Sequence, residues 1–276
     1  MKLKKIMDHI PVEFLDTARR FGLISMPEHV LVLAAMPRSA SRLFSDNMEK
    51  LYRPGFRSLR CKVAKGWGQN FLSYERMIRS LAWRRAVALY GHTPMTRENE
   101  AILGRFTADR NAVVLIRNLP DVVVSYTEFV DQNQHGPLDP RIGDGSEGCS
   151  QWATLRNDEK YRFITYFVMP WYARFLASWT EARSRGWNVV FVRYENHTAR
   201  PVTTIVESLE NLGINLKRNG NQTDEEFAGR KLNFNKGRAG RGATELAPEF
   251  KEFIAYAVRT CVPDLEADLF DYLTRG

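Results

Sequence analysis

Cysteine is scarce: Cys61, Cys149 and Cys261 are the only three in 276 residues, far apart and odd in number. Such a set builds neither a disulfide framework nor a metal cluster, and it fits a reducing compartment. No apolar run approaches the ~20 residues that a membrane-spanning helix needs. The N-terminus, MKLKKIMDHIPVEFLDTARRFGL, lacks a secretory signal, because Asp8, Glu13 and Asp16 arrive before any apolar stretch develops. It reads instead as an amphipathic helix with Val12, Leu15 and Phe21 available to one face. Internal repeats and low-complexity linkers are missing too, as is the G-x-x-x-x-G-K-[ST] pattern of an ordinary nucleoside-triphosphate loop. One domain over residues 1–276 and a cytoplasmic location are the expectations.

Acidic residues are in deficit. Thirty-two Asp and Glu face 40 Lys and Arg, a net charge of +8. That balance suits an anionic partner: nucleic acid, an acidic lipid surface or a phosphorylated small molecule. The basic residues are spread along the chain rather than gathered in a tail, which counts against nucleic acid. Hydrophobic residues make up 44%, enough for a sizeable core.

Apolar runs of strand length recur at Leu31–Ala35, Ser58–Val63, Ala86–Tyr90, Ala112–Ile116 and Val189–Val192. They are nearly continuous rather than alternating, the pattern of parallel strands covered on both faces. Helical patterns fall between them, over Arg42–Leu51, Met95–Thr107, Asp121–Val130 and Tyr161–Arg185, the last with a kink expected at Pro170. Pro201–Gly213 is the clearest helix, with Val202, Ile205, Val206, Leu209 and Leu212 on one face between a starting proline and a closing glycine. Pro248–Val258 and Leu265–Leu273 supply the final helices. Gly136–Ser150, rich in glycine, proline and aspartate, reads as a long surface loop. Aromatics near Trp152 and across Tyr166–Trp179 fit a core face, with an acceptor cleft as the alternative.

Two stretches carry chemistry. In Leu31–Phe44, LVLAAMPRSASRLF, a buried strand discharges into a loop holding Arg38, Ser39, Ala40, Ser41 and Arg42. A small-residue loop that opens a helix turns backbone N–H groups and a positive dipole end toward an anion, and a guanidinium adds bidentate charge. In Asn111–Phe129 a strand ends at Arg117, a turn follows through Asn118, Leu119, Pro120 and Asp121, and Ser125 lies one turn inside the next helix. Arg117 and Ser125 are thereby spaced to pinch one anion.

In that order, each after a strand, the two stretches resemble the sulfotransferases that use 3′-phosphoadenosine 5′-phosphosulfate (PAPS). The first is similar to the family's P-[KR]-[ST]-G-[ST]-[ST], and the second to R-N-P-x-D-x-x-x-S with its proline displaced by one position. Tyr90-Gly91-His92-Thr93-Pro94 resembles the T-H-x-P segment, Phe191-Val192-Arg193-Tyr194-Glu195 the strand that ends in Y-E-D, and Phe234–Gly240 the late R-K-G-x-x-G loop. The resemblance implies an α/β domain with a central parallel sheet flanked by helices, in the P-loop-kinase-like sulfotransferase fold. It implies that Arg38, Ser39, Ala40, Ser41 and Arg42 surround the 5′-phosphosulfate, that Arg117, Ser125, Lys236 and Gly237 read the 3′-phosphate, and that Tyr194 lies near the adenine. His92 takes the place of the catalytic base, assisted by Arg38. The acceptor is a hydroxyl, less often an amine, on a small molecule or glycan; neither a metal nor nucleic acid is implied. Four positions depart from the family pattern: Ala40 for glycine, Arg42 for a hydroxyl residue, Leu43 for a stacking tryptophan and Asn235 for arginine. Two rival functions remain: an atypical nucleotide kinase, needing Asp46 or Asp121 on magnesium, and a noncatalytic nucleic-acid or polyanion binder.

Overall fold

Five strands form one all-parallel sheet: β1 (His29–Ala35), β2 (Phe56–Leu59), β3 (Ala86–Gly91), β4 (Asn111–Ile116) and β5 (Asn188–Arg193). The computed structural model describes residues 10–27, 29–52, 56–59, 71–82, 86–107, 109–133, 152–228 and 239–275. Strand order is β2-β3-β1-β4-β5. The chain leaves β1 past β3 to reach β2, returns to β3, then crosses β1 to build β4 and β5. Connections therefore diverge on either side of β1, and in open parallel sheets the crevice at such a point, beyond the carboxyl ends of the strands, is where ligands bind.

The near-continuous apolar strands have the reason the pattern gave: both faces are covered. Val30, Val32 and Ala34 of β1 face one core, with Val87, Leu89, Val114 and Ile116. Leu31, Leu33 and Ala35 face the other, with Val113 and Leu115. The second core is closed by α2 (Ser41–Tyr52), through Phe44, Met48 and Leu51, and by α9 (Pro201–Asn211), through Val202, Ile205 and Leu209. The first core is closed by α3 (Tyr74–Leu81), α4 (Arg97–Leu103), α5 (Leu119–Asn133), α7 (Met169–Ser184), α12 (Pro248–Cys261) and α13 (Ala267–Thr274).

The remaining helices are α1 (Val12–Arg20), α6 (Asn157–Phe163), α8 (Tyr194–Ala199), α10 (Asp224–Ala228) and α11 (Arg241–Glu245). The kink expected at Pro170 takes another form. Ile164–Val168 winds as one wide π turn, and the Met169 N–H reaches back to the Ile164 carbonyl. Proline at 170 offers no N–H to the preceding turn, and the wider turn absorbs that loss.

Two expectations need correction. In α1 it is Leu15 and Ala18 that bury, against Ile78 and Ala82, whereas Phe21 lies beyond the helix end and is exposed. The strand expected over Ser58–Val63 begins earlier, at Phe56, and its part beyond Leu59 lies outside the described residues. So do the loop Gly136–Ser150, Cys61 and Cys149. No described helix is long and apolar enough to cross a membrane.

Candidate active site

Four strand ends converge beside β1, and each delivers a side chain singled out above: Arg38 after β1, His92 after β3, Arg117 after β4 and Tyr194 after β5. The loop after β1 is tightly wound. Met36 N–H still pairs with the Leu115 carbonyl, at 2.9 Å, and Ser39 turns back on Met36, its hydroxyl donating to the Met36 carbonyl at 2.6 Å. Arg38 and Ala40 both adopt left-handed backbone, at φ 68° and 56°. Here glycine's replacement matters: Ala40 carries its Cβ through a conformation that L-residues resist.

The Arg38 Nε donates to Ser125 Oγ at 3.2 Å, and its guanidinium lies 4.8 Å from the Phe129 ring centroid. Arg117 Nη1 donates to the Arg38 carbonyl at 3.0 Å, and its guanidinium covers the Tyr194 ring at 4.1 Å. Arg117 is buried, and its Nε has no hydrogen-bond partner among the described residues. Neither arginine forms an ion pair with a described carboxylate. Burial draws Arg38 below the usual arginine range, and Arg117 beside it acts in the same direction. Burying a cation costs several kcal/mol unless a negative group offsets it, and an anion between these two guanidinia would do so. Burial raises the Tyr194, Tyr126 and Tyr172 phenols, so all three stay protonated near neutrality.

His92 Nδ1 sits 2.7 Å from the Ala35 carbonyl, the last of β1. A carbonyl only accepts, so the neutral ring carries its proton on Nδ1 and its lone pair on Nε2. Ser41 Oγ pairs with the Tyr90 hydroxyl at 2.8 Å. Arg42 is exposed on the first turn of α2, and Leu43 is buried. Ser39 differs from expectation: it is almost wholly buried and its hydroxyl closes the loop.

Asp121 is spent on structure. Its Oδ2 accepts the Gly240 N–H at 2.8 Å and its Oδ1 the Gly242 N–H at 2.7 Å. A Cβ on Gly242 would lie 2.3 Å from the Pro120 carbonyl carbon, so only glycine fits there. Lys236 and Gly237 lie outside the described residues; four residues on from Lys236, Gly240 docks on the first turn of α5 through Asp121.

Residues 61–241 match the sulfotransferase domain family, well over half of the sequence. This chain belongs to the sulfotransferase family. The match covers His92, Arg117, Ser125 and Tyr194 and begins after the Arg38 loop. No curated protein sequence matches. The fold is similar to that of the mouse sulfotransferase SULT7A1, crystallised with PAP, with a TM-score of 0.56 and 15% identity over 90% of this chain and 87% of that one. A sulfotransferase from Alicyclobacillus acidocaldarius aligns with a TM-score of 0.44 and 13% identity, covering 89% and 96%.

Three features of this sulfotransferase were not readable from motifs. Tyr172, in the first turn of the core helix α7, reaches the Pro37 carbonyl at 3.1 Å. Tyr90 reaches Ser41 from the adjacent strand. Asp121 binds a segment more than a hundred residues away, although its neighbour Asn118, which caps Asp121 N–H at 3.0 Å, follows an ordinary capping pattern. Of the aromatics considered for an acceptor cleft, Trp152, Tyr172, Phe175 and Trp179 are core, while Tyr166 and Phe167 are exposed.

Proposed function

We propose that the whole chain acts as one sulfotransferase domain that binds PAPS and carries its sulfuryl group to an acceptor hydroxyl, with His92 as general base. The observation that carries this reading is the pairing of Arg38 with Ser125 and of Arg117 with the Arg38 carbonyl, with neither guanidinium in an ion pair among the described residues. The orphaned Arg117 Nε and two guanidinia outside any ion pair of the described residues fit an adenosine carrying phosphate at both ends. Arg38, Ala40, Ser41 and the start of α2 hold the 5′ side, and Arg42 flanks it from the surface. Arg117 and Ser125 hold the 3′ side, where the resemblance adds Lys236 and Gly237, and Tyr194 stands by the adenine. When bound, PAPS supplies the sulfuryl group and departs as the bisphosphate PAP.

His92 then takes the acceptor's proton at Nε2, while its Nδ1–H to the Ala35 carbonyl fixes the ring and steadies the imidazolium that forms. Arg38 offsets negative charge that grows on the 5′ side. The acceptor is a small molecule or glycan.

The backbone N–H groups of Gly240 and Gly242 hold both Asp121 oxygens, which speaks against the kinase reading; its other candidate, Asp46, lies exposed on α2. His92→Ala tests the base directly. Turnover should fall by ~10²–10⁴-fold, while the binding isotherm for PAP is unchanged. Near-normal turnover on the same acceptor removes His92 from the reaction.

A further inference from the structure

Tyr172 and Trp179 lie seven residues apart on α7, two helical turns, so they share one face. Both are fully buried. The Tyr172 hydroxyl donates to the Pro37 carbonyl at 3.1 Å, and the Trp179 indole N–H donates to the Thr93 carbonyl at 3.1 Å. One carbonyl immediately precedes Arg38; the other immediately follows His92. Ser178 adds to the second contact: its Oγ accepts the Met95 N–H at 2.9 Å and donates to the Phe175 carbonyl at 2.7 Å. Its one proton is committed to α7 and a lone pair to the turn. The turn after β3 is thus tied at three points, to β1 through His92 and Ala35 and to α7 through Thr93 and Met95. Gly91 leads into it with no room for a side chain, since a Cβ there would lie 2.9 Å from Thr93 Oγ1.

Carbonyls just past a strand end have lost their sheet partners and need a donor when buried. Ordinary packing needs only rings here. What stands out is that both polar tips are aimed at the loops on either side of the reaction, from one helix whose length does not stretch. We propose that α7 is the strut that sets the spacing between the Arg38 loop and the His92 turn, with Tyr172 and Trp179 as its positioning residues. The inference rests on His92 being the base, as proposed above. Misplacement by ~1 Å costs about a hundredfold in an oriented reaction, so a fixed spacer has work to do.

The test reads the His92 tautomer from imidazole nitrogen shifts in isotope-labelled enzyme, with His92→Ala to assign the signal. In the wild type the neutral ring should show Nδ1–H. Trp179→Phe removes the indole N–H and keeps a ring; Ser178→Ala loosens the same turn with little change in volume, should the first variant not fold. Either should shift His92 toward Nε2–H, the tautomer a free imidazole side chain prefers, with PAP affinity unchanged. Tyr172→Phe should do the reverse, weakening PAP severalfold and leaving the tautomer alone. An unmoved Nδ1–H signal in the cooperatively melting turn variants overturns the strut alone, and unchanged PAP affinity in Tyr172→Phe overturns its other end. A wild-type Nε2–H ring overturns the base geometry, and the strut with it.

Discussion

Ala40 holds φ at 56° where glycine would rest without strain. Left-handed backbone costs an alanine roughly 1–2 kcal/mol, and glycine gives back ~0.4–1 kcal/mol through the freer unfolded chain. Ala40→Gly should therefore stabilise the protein by about 0.5–1 kcal/mol, read from the denaturant midpoint at constant slope. His197 makes a second point at this scale. It is fully buried beneath the same loop, edge-on to Phe44 at 5.0 Å between centroids, and neither ring nitrogen has a hydrogen-bond partner among the described residues. Burial pulls its pKa down to about 4. Between the unfolded value near 6.5 and about 4 the unfolded chain binds the proton and the folded one does not, so stability is lost as the pH is lowered through that window. Roughly 3 kcal/mol is at stake at about 1.4 kcal/mol per pKa unit. The melting temperature of the wild type should drop more steeply from pH 7 to pH 4.5 than that of His197→Phe. Parallel curves would contradict the burial argument.

At the scale of elements, α5 joins the stretch after β4 to the end of the late loop. Asp121→Ala removes the acceptor of two backbone N–H groups, each bond to a charged group being worth ~1.5–3 kcal/mol. The variant should lose about 3 kcal/mol of stability and bind PAP more weakly, whereas Asp46→Ala, exposed on α2, should stay within roughly ±0.5 kcal/mol. A kinase would instead show magnesium dependence tied to one of these carboxylates.

The same elements show what a sequence reveals. β1 and β4 were legible because both faces are buried, which leaves an unbroken aliphatic run. α9 was legible because proline, glycine and a five-residue apolar face agree. α3 was not singled out: it is short, and its buried residues, Met77, Ile78 and Leu81, divide between two separate cores. Phe21 was misplaced because periodicity continues past the residue where α1 ends. The candidate residues Arg38, His92, Arg117 and Tyr194 were picked out by pattern, and each does follow a strand end. Tyr172, Trp179 and the partners of Asp121 were not, since a core aromatic or a capping carboxylate looks the same in sequence whatever carbonyl or amide it meets.

For the whole molecule, a net charge of +8 admits several anionic partners, but the sheet order selects where a small one sits. The crevice at the carboxyl end of β1 gathers two arginines, a serine and a histidine from the connections after three strands, β1, β3 and β4. The central claim is that this crevice reads a 3′-phosphate. The most direct measurement compares the melting shifts given by PAP and AMP at equal concentration. A ligand at ~100 times its dissociation constant adds roughly 2.7 kcal/mol to the native state, and the loss of well-made charged hydrogen bonds weakens binding at least about tenfold. PAP should stabilise the protein far more than AMP. Arg117→Ala and Lys236→Ala should shrink the PAP shift and barely alter the AMP one. Equal shifts from PAP and AMP would contradict the account, a preference for ATP with magnesium would favour the kinase, and a shift from oligonucleotide alone would favour the polyanion binder.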